Sequence, residues 1–144
     1  MKAIAVKYST VEKDPYDEGS RWVLNFGHTI GHALESLGVG LSHGKAVAIG
    51  MVTESRMAEL LGVAKPGIAD KIAGVLRLYH IPISVDPAWS RQRVVRAVGY
   101  DKKREDDNIV MALPKWIGKV VLHTVALNKE FPELLKEAWK LKKS

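Results

Sequence analysis

The chain has 144 residues, 47% of them hydrophobic, which is enough for one domain with a modest core. It contains no cysteine, which excludes disulfides and thiolate metal sites and leaves histidine, carboxylate and water as the available metal donors. Lysine and arginine number 22 against 16 acids, and the resulting charge of +6 favours anionic partners.

The opening segment, Met1 to Glu18, is too charged for a secretory signal. No apolar run approaches the ~20 residues that cross a bilayer. The expectation is a soluble, cytoplasmic chain with no membrane partner. From Arg21 to Leu37 the apolar residues Val23, Leu24, Phe26, Ile30, Ala33, Leu34 and Leu37 recur at helical spacing, predicting one helix closed by Gly38 and Gly40. Ser42 is a natural N-cap for a second, largely buried helix from His43 to Leu61, ended by Gly62 and Pro66. Ile68 to Tyr79 and Arg91 to Val98 read as further helices. Branched residues over Ile109 to Leu113 and Lys119 to Val125 flank Pro114 to Gly118 and predict a hairpin. A last helix runs from about Pro132 to Lys142. The fold class is therefore mainly α, several helices with one small β-hairpin, in a single domain over residues 1–144. The cations Lys136, Lys140, Lys142 and Lys143 suit a solvated helix C-terminus. With no basic stripe interleaved with aromatics, nucleic acid is not an expected partner.

His28 and His32 are four residues apart and project from one helical face. His43 follows a glycine-containing loop, so two antiparallel helices can bring all three histidines together, although the spacing does not force it. A histidine on an apolar helical face is also commonly just a hydrogen-bonded core residue. The glutamate that follows the first histidine in zinc-protease helices is replaced by Thr29. Gly27 and Gly31 cost a helix interior about 1 kcal/mol each relative to alanine, which suggests close approach by a ligand or another backbone. Arg21, Asn25, His28 and His32 form one stripe of that helix. His80 and His123 stand apart and read as structural. Lys102 and Lys103 after Asp101 could clamp an anion, but such a charged run is by default a solvated turn.

Four blocks in order, Lys7 to Arg21, RWVLNFGHTIGHALE from Arg21 to Glu35, SHGKAVAIGM from Ser42 to Met51, and Asp101 to Val120, resemble the 3-dehydroquinate synthase family across nearly the whole chain. The resemblance implies the carboxy-terminal, metal-binding helical domain of those enzymes. It implies that His28 and His43 are ligands of a catalytic zinc, or another divalent ion such as cobalt, completed by a glutamate from earlier in the family's chain. His32 and Lys7 are implied to act in catalysis, and Lys7, Arg21, Asn25, His32, Lys102 and Lys103 to contact a sugar-phosphate substrate. The implied reaction, a step of the shikimate pathway, converts 3-deoxy-arabino-heptulosonate 7-phosphate to 3-dehydroquinate and phosphate with a bound NAD.

One departure from the family pattern is Lys45, which stands where a glutamate is usual. No glycine-rich nucleotide motif or strand-helix alternation is present, so the NAD-binding domain is expected to be absent from this chain and supplied in cis or trans. The chain alone is expected to be inactive in the full reaction and to self-associate into a homo-oligomer. Two other readings are another sugar-phosphate cyclase domain and a non-catalytic helical module that binds metal or a protein partner.

Overall fold

A computed structural model describes residues 22–101 and 107–140. A 3-10 turn, Trp22–Asn25, leads into helices α1 (His28–Ser36), α2 (His43–Leu60), α3 (Ile68–Leu78) and α4 (Arg91–Asp101). The hairpin of β1 (Asn108–Trp116) and β2 (Lys119–Ala126) follows, and then α5 (Phe131–Ala138). Among the described residues, five helices and one hairpin match the fold class expected from the sequence.

Helix α2 is the centre of the arrangement and packs against α1, α3, α5 and β1, while α4 closes on α1 and α5. Its all-round burial, from Ala46 and Ile49 to Met57 and Ala58, follows from a sequence with few polar residues in its first half. Around it the core gathers Ile30 and Leu34 of α1, Val94 and Val98 of α4, Phe131 and Leu135 of α5, and Ile109, Met111 and Leu113 of β1. The β1 residues are two apart, so one face of the hairpin enters the core.

Three differences from the sequence reading are informative. The helix expected over Arg21 to Leu37 is broken: Gly27 is left-handed, with φ of 85°, and separates the 3-10 turn from α1. Asn25 therefore sits before the break, exposed, and the helical stripe from Asn25 to His32 does not exist. Pro114 lies within β1 opposite Val120, and the hairpin turns instead at Gly118, with φ of 97°. A two-stranded hairpin can take this proline because its missing N–H need not serve a second neighbouring strand.

Neither α1 nor α3 has a capping side chain of its own, since both N-caps are glycine. Glutamates of α2 take over. Buried Glu54 accepts from the Ile30 N–H at 3.4 Å, and Glu59 Oε1 accepts from the N–H groups of Gly67 and Ala69 at 3.1 and 2.9 Å. Each supplies a carboxyl oxygen to N–H groups at a helix N-terminus that have no partner within their own helix. No helix among the described residues is long and apolar enough to cross a membrane.

Candidate metal centre

The site is created by how closely α1 and α2 cross. A Cβ on Gly31 would lie 3.1 Å from the Val47 Cα, and one on Gly50 would strike the Gly27 carbonyl oxygen. The interior glycines thus answer to another backbone rather than to a ligand. The Gly31–Val47 crossing also fixes the antiparallel register. Four residues onward along α1 and four back along α2 bring Glu35 opposite His43.

All three predicted histidines meet at this end of the helix pair. Ring centroids are 5.3 Å apart for His28 and His32, 5.5 Å for His28 and His43, and 6.0 Å for His32 and His43. His43 is the first residue of α2, directly after Ser42, whose Oγ accepts from the Lys45 N–H at 3.3 Å. The sequence reading missed Glu35, whose carboxylate lies 2.5 Å from His43 Nδ1. Donor atoms of His32, Glu35 and His43 all fall within 4.8 Å of one another. The spacing carried the signal: His28, His32 and Glu35 follow at steps of four and three along one helical face.

The hydrogen bonds determine which ring nitrogens are available. His28 Nδ1 faces the Phe26 carbonyl oxygen at 3.2 Å, and His43 Nδ1 faces a carboxylate. Both partners can only accept, so in each neutral ring the proton sits on Nδ1 and Nε2 keeps its lone pair. Burial, the largest influence, lowers the pKa of His28 below the usual histidine value. The bond to the Phe26 carbonyl and the Glu35 charge oppose that shift, and His32 and His43 reinforce it. His28 is thus held neutral at neutral pH, the state in which imidazole binds a metal.

The histidines are not in an enclosed pocket: His28 is half-buried, and His32 and His43 are exposed. A cleft of about 700 Å³ lies at the other end of α2, lined by Val63, Lys65, Ile68 and Trp116 among others, with none of the three histidines. Elsewhere, His80 is exposed beyond the end of α3 and His123 lies on β2 opposite Met111, both away from the cluster. Lys7, Arg21, Lys102 and Lys103 lie outside the described residues.

The family model described as 3-dehydroquinate synthase C-terminal matches residues 1–104, which contain the whole histidine cluster. The chain belongs to this family. The 3-dehydroquinate synthase of Streptococcus sanguinis (strain SK36) is 40% identical over 134 residues, which make up 92% of this chain and 37% of that protein. The 3-dehydroquinate synthase of Enterococcus faecalis (strain ATCC 700802 / V583) is 38% identical over 116 residues, 79% of this chain and 32% of that protein. The chain thus spans little more than a third of the length of these curated relatives.

Solved structures share the fold of this 3-dehydroquinate synthase C-terminal domain. A 2-deoxy-scyllo-inosose synthase complexed with carbaglucose-6-phosphate, NAD+ and Co2+ superposes with a TM-score of 0.77 at 24% identity, over 93% of this chain and 40% of that one. A 2-epi-5-epi-valiolone synthase from Streptomyces hygroscopicus, with NAD+ and Zn2+ bound, gives 0.73 at 23% identity, over 95% and 37%.

Proposed function

We propose that this chain is the metal- and substrate-binding domain of a 3-dehydroquinate synthase, which turns 3-deoxy-arabino-heptulosonate 7-phosphate into 3-dehydroquinate and phosphate. The observation that carries the proposal is the pair His28 and His43, on rings 5.5 Å apart, each with Nδ1 against an acceptor and with no hydrogen bond to Nε2 among the described residues. Two imidazole donors with no thiolate fit a borderline divalent ion such as zinc or cobalt. When bound, the ion supplies a Lewis acid to a substrate oxygen, and NAD supplies a reversible hydride acceptor.

The chain's own residues have separate tasks in this reading. His28 and His43 hold the ion. His32, exposed beside them, binds the phosphate end of the substrate and moves a proton there. Arg21 suits a planar carboxylate, Lys7 and one of Lys102 and Lys103 suit phosphate as point charges, and Asn25 suits a hydroxyl. The excess of positive charge in the chain agrees with such a substrate.

NAD is held mainly by a domain outside these 144 residues, which also covers the open histidine face. That domain acts in cis or as a second polypeptide, and without it the chain does not turn over substrate. The cytoplasm, where such a substrate is made and used, is the proposed location. Exposed apolar side chains, among them Leu78, Tyr79, Trp116 and Ile117, suit self-association.

The test is a zinc titration of the chain with His28→Ala and His43→Ala variants at neutral pH, followed by a phosphate-release assay after adding the nucleotide-binding domain of a related synthase. Stoichiometric zinc lost in both variants, and phosphate released from the heptulosonate substrate, is the expected result. Zinc binding indifferent to both substitutions would sink the reading. Release only from other sugar phosphates would instead identify a different cyclase of this fold.

A further inference from the structure

The contact between Glu35 and His43 crosses from one helix to the other, and the backbone fixes it. Gly31 holds α1 against Val47 of α2, which leaves Glu35 opposite the first residue of α2. The carboxylate Oε1 is 2.5 Å from His43 Nδ1, shorter than the roughly 2.7 to 2.9 Å usual for an N–H group bonded to a carboxylate. His43 is otherwise exposed, with 61% of its side-chain surface open, so little else fixes its ring. His28, by contrast, is half-buried and tied to a backbone carbonyl. Of the two rings, His43 therefore depends on a side chain for its orientation.

We infer that Glu35 is a positioning residue for the metal centre: its carboxylate accepts the His43 Nδ1 proton, fixes the ring, and turns a more basic Nε2 toward the ion. This rests on the reading of His28 and His43 as ligands. Glu35 is close enough to His32 and His43 to be considered a direct ligand, since donor atoms of the three fall within 4.8 Å. Against that, its oxygen already meets Nδ1, the nitrogen that carries the proton, and not the lone pair. Outer carboxylates of this kind typically change metal affinity about 10- to 100-fold.

The test uses the full 144-residue chain with zinc or cobalt alone. Glu35→Ala should weaken zinc binding about 10- to 100-fold, and Glu35→Gln, whose amide oxygen still accepts from Nδ1, should recover most of that loss. The cobalt-bound absorption bands of Glu35→Gln should match wild type, because the ligand set is unchanged. In the metal-free chain, nitrogen-15 NMR should find His43 protonated on Nδ1 in wild type and in Glu35→Gln, and mixed between tautomers in Glu35→Ala.

Wild-type zinc affinity in Glu35→Ala would overturn the inference, and so would a wild-type His43 protonated on Nε2. Displaced cobalt bands in Glu35→Gln would make Glu35 a ligand and overturn it too. The ligand reading fails separately, when His28→Ala and His43→Ala leave zinc binding intact. The NMR readout tests the Glu35–His43 contact separately from the ligand reading, since it needs no bound ion.

Discussion

Gly31 and Val47 stand backbone to backbone, so close that a Cβ on Gly31 would lie 3.1 Å from the Val47 Cα. Alanine's better helix propensity, about 1 kcal/mol, offsets only part of an overpacking cost of about 1 to 3 kcal/mol. Gly31→Ala should therefore lower the urea midpoint and, by spreading α1 from α2, weaken zinc binding as well. A variant as stable as wild type would mean that the helices do not cross this closely. Gly50→Ala should be the more damaging of the two, since its Cβ would lie 2.0 Å from the Gly27 carbonyl oxygen, against 3.1 Å for the nearest atom to a Cβ on Gly31.

His32 provides a contrast with the two proposed ligands. His32→Ala should keep zinc within about threefold of wild type, because the pair with a fixed tautomer is His28 and His43. Loss of zinc in His32→Ala equal to that in His28→Ala would move His32 into the ligand set. Isothermal titration with zinc on all three variants gives the comparison.

The depressed pKa of His28 makes a prediction for the metal-free chain. In the unfolded state this histidine titrates near its ordinary value of 6.5, and in the folded state lower. As pH falls through 6.5 the unfolded chain takes up the proton first, so folding stability declines until the folded pKa is passed. Melting temperature measured in chelator from pH 7.5 downward should fall more steeply in wild type than in His28→Gln. Parallel curves would mean that burial does not suppress protonation at this ring.

Lys45 lies two residues after His43 in the first turn of α2 and is exposed. Lys45→Glu should tighten zinc binding about two- to fivefold at low salt, the scale of an exposed charge interaction, and the gain should shrink as salt is raised. An affinity unchanged at low salt would show that the ammonium group stays clear of the site.

Glu59 caps α3 from a neighbouring helix, satisfying two N–H groups with one oxygen. Glu59→Ala should cost about 1 kcal/mol in unfolding free energy, with Glu59→Gln retaining part of it. Equal stability of Glu59→Ala and wild type would rule out a capping role.

The sequence made some of this visible and hid the rest for physical reasons. Ser42 before His43 was a readable cap, because capping is a local bond between a side chain and the nearby backbone. Gly27 and Gly31 look alike in the sequence, yet only Gly27 leaves the helical conformation, and contacts with α2 from far along the chain decide which. Pro114 suggested a turn, but its place on a two-stranded hairpin made it harmless in the strand. His28 and His32 were legible from their spacing, whereas bringing in His43 needed the helix crossing. The step of three from His32 puts Glu35 on the same face, but its partner His43 is reached only through the helix crossing.

Packing holds α1 against α2 through glycine contacts and the buried side chains Ile30, Leu34 and Ile49. The proposed ion would then bind to a frame already built. Capture should then be limited by how fast the ion sheds its water and not by chain ordering, and a chelator should remove it in a step that leaves the helical signal intact, unlike small zinc folds whose structure disappears with the metal.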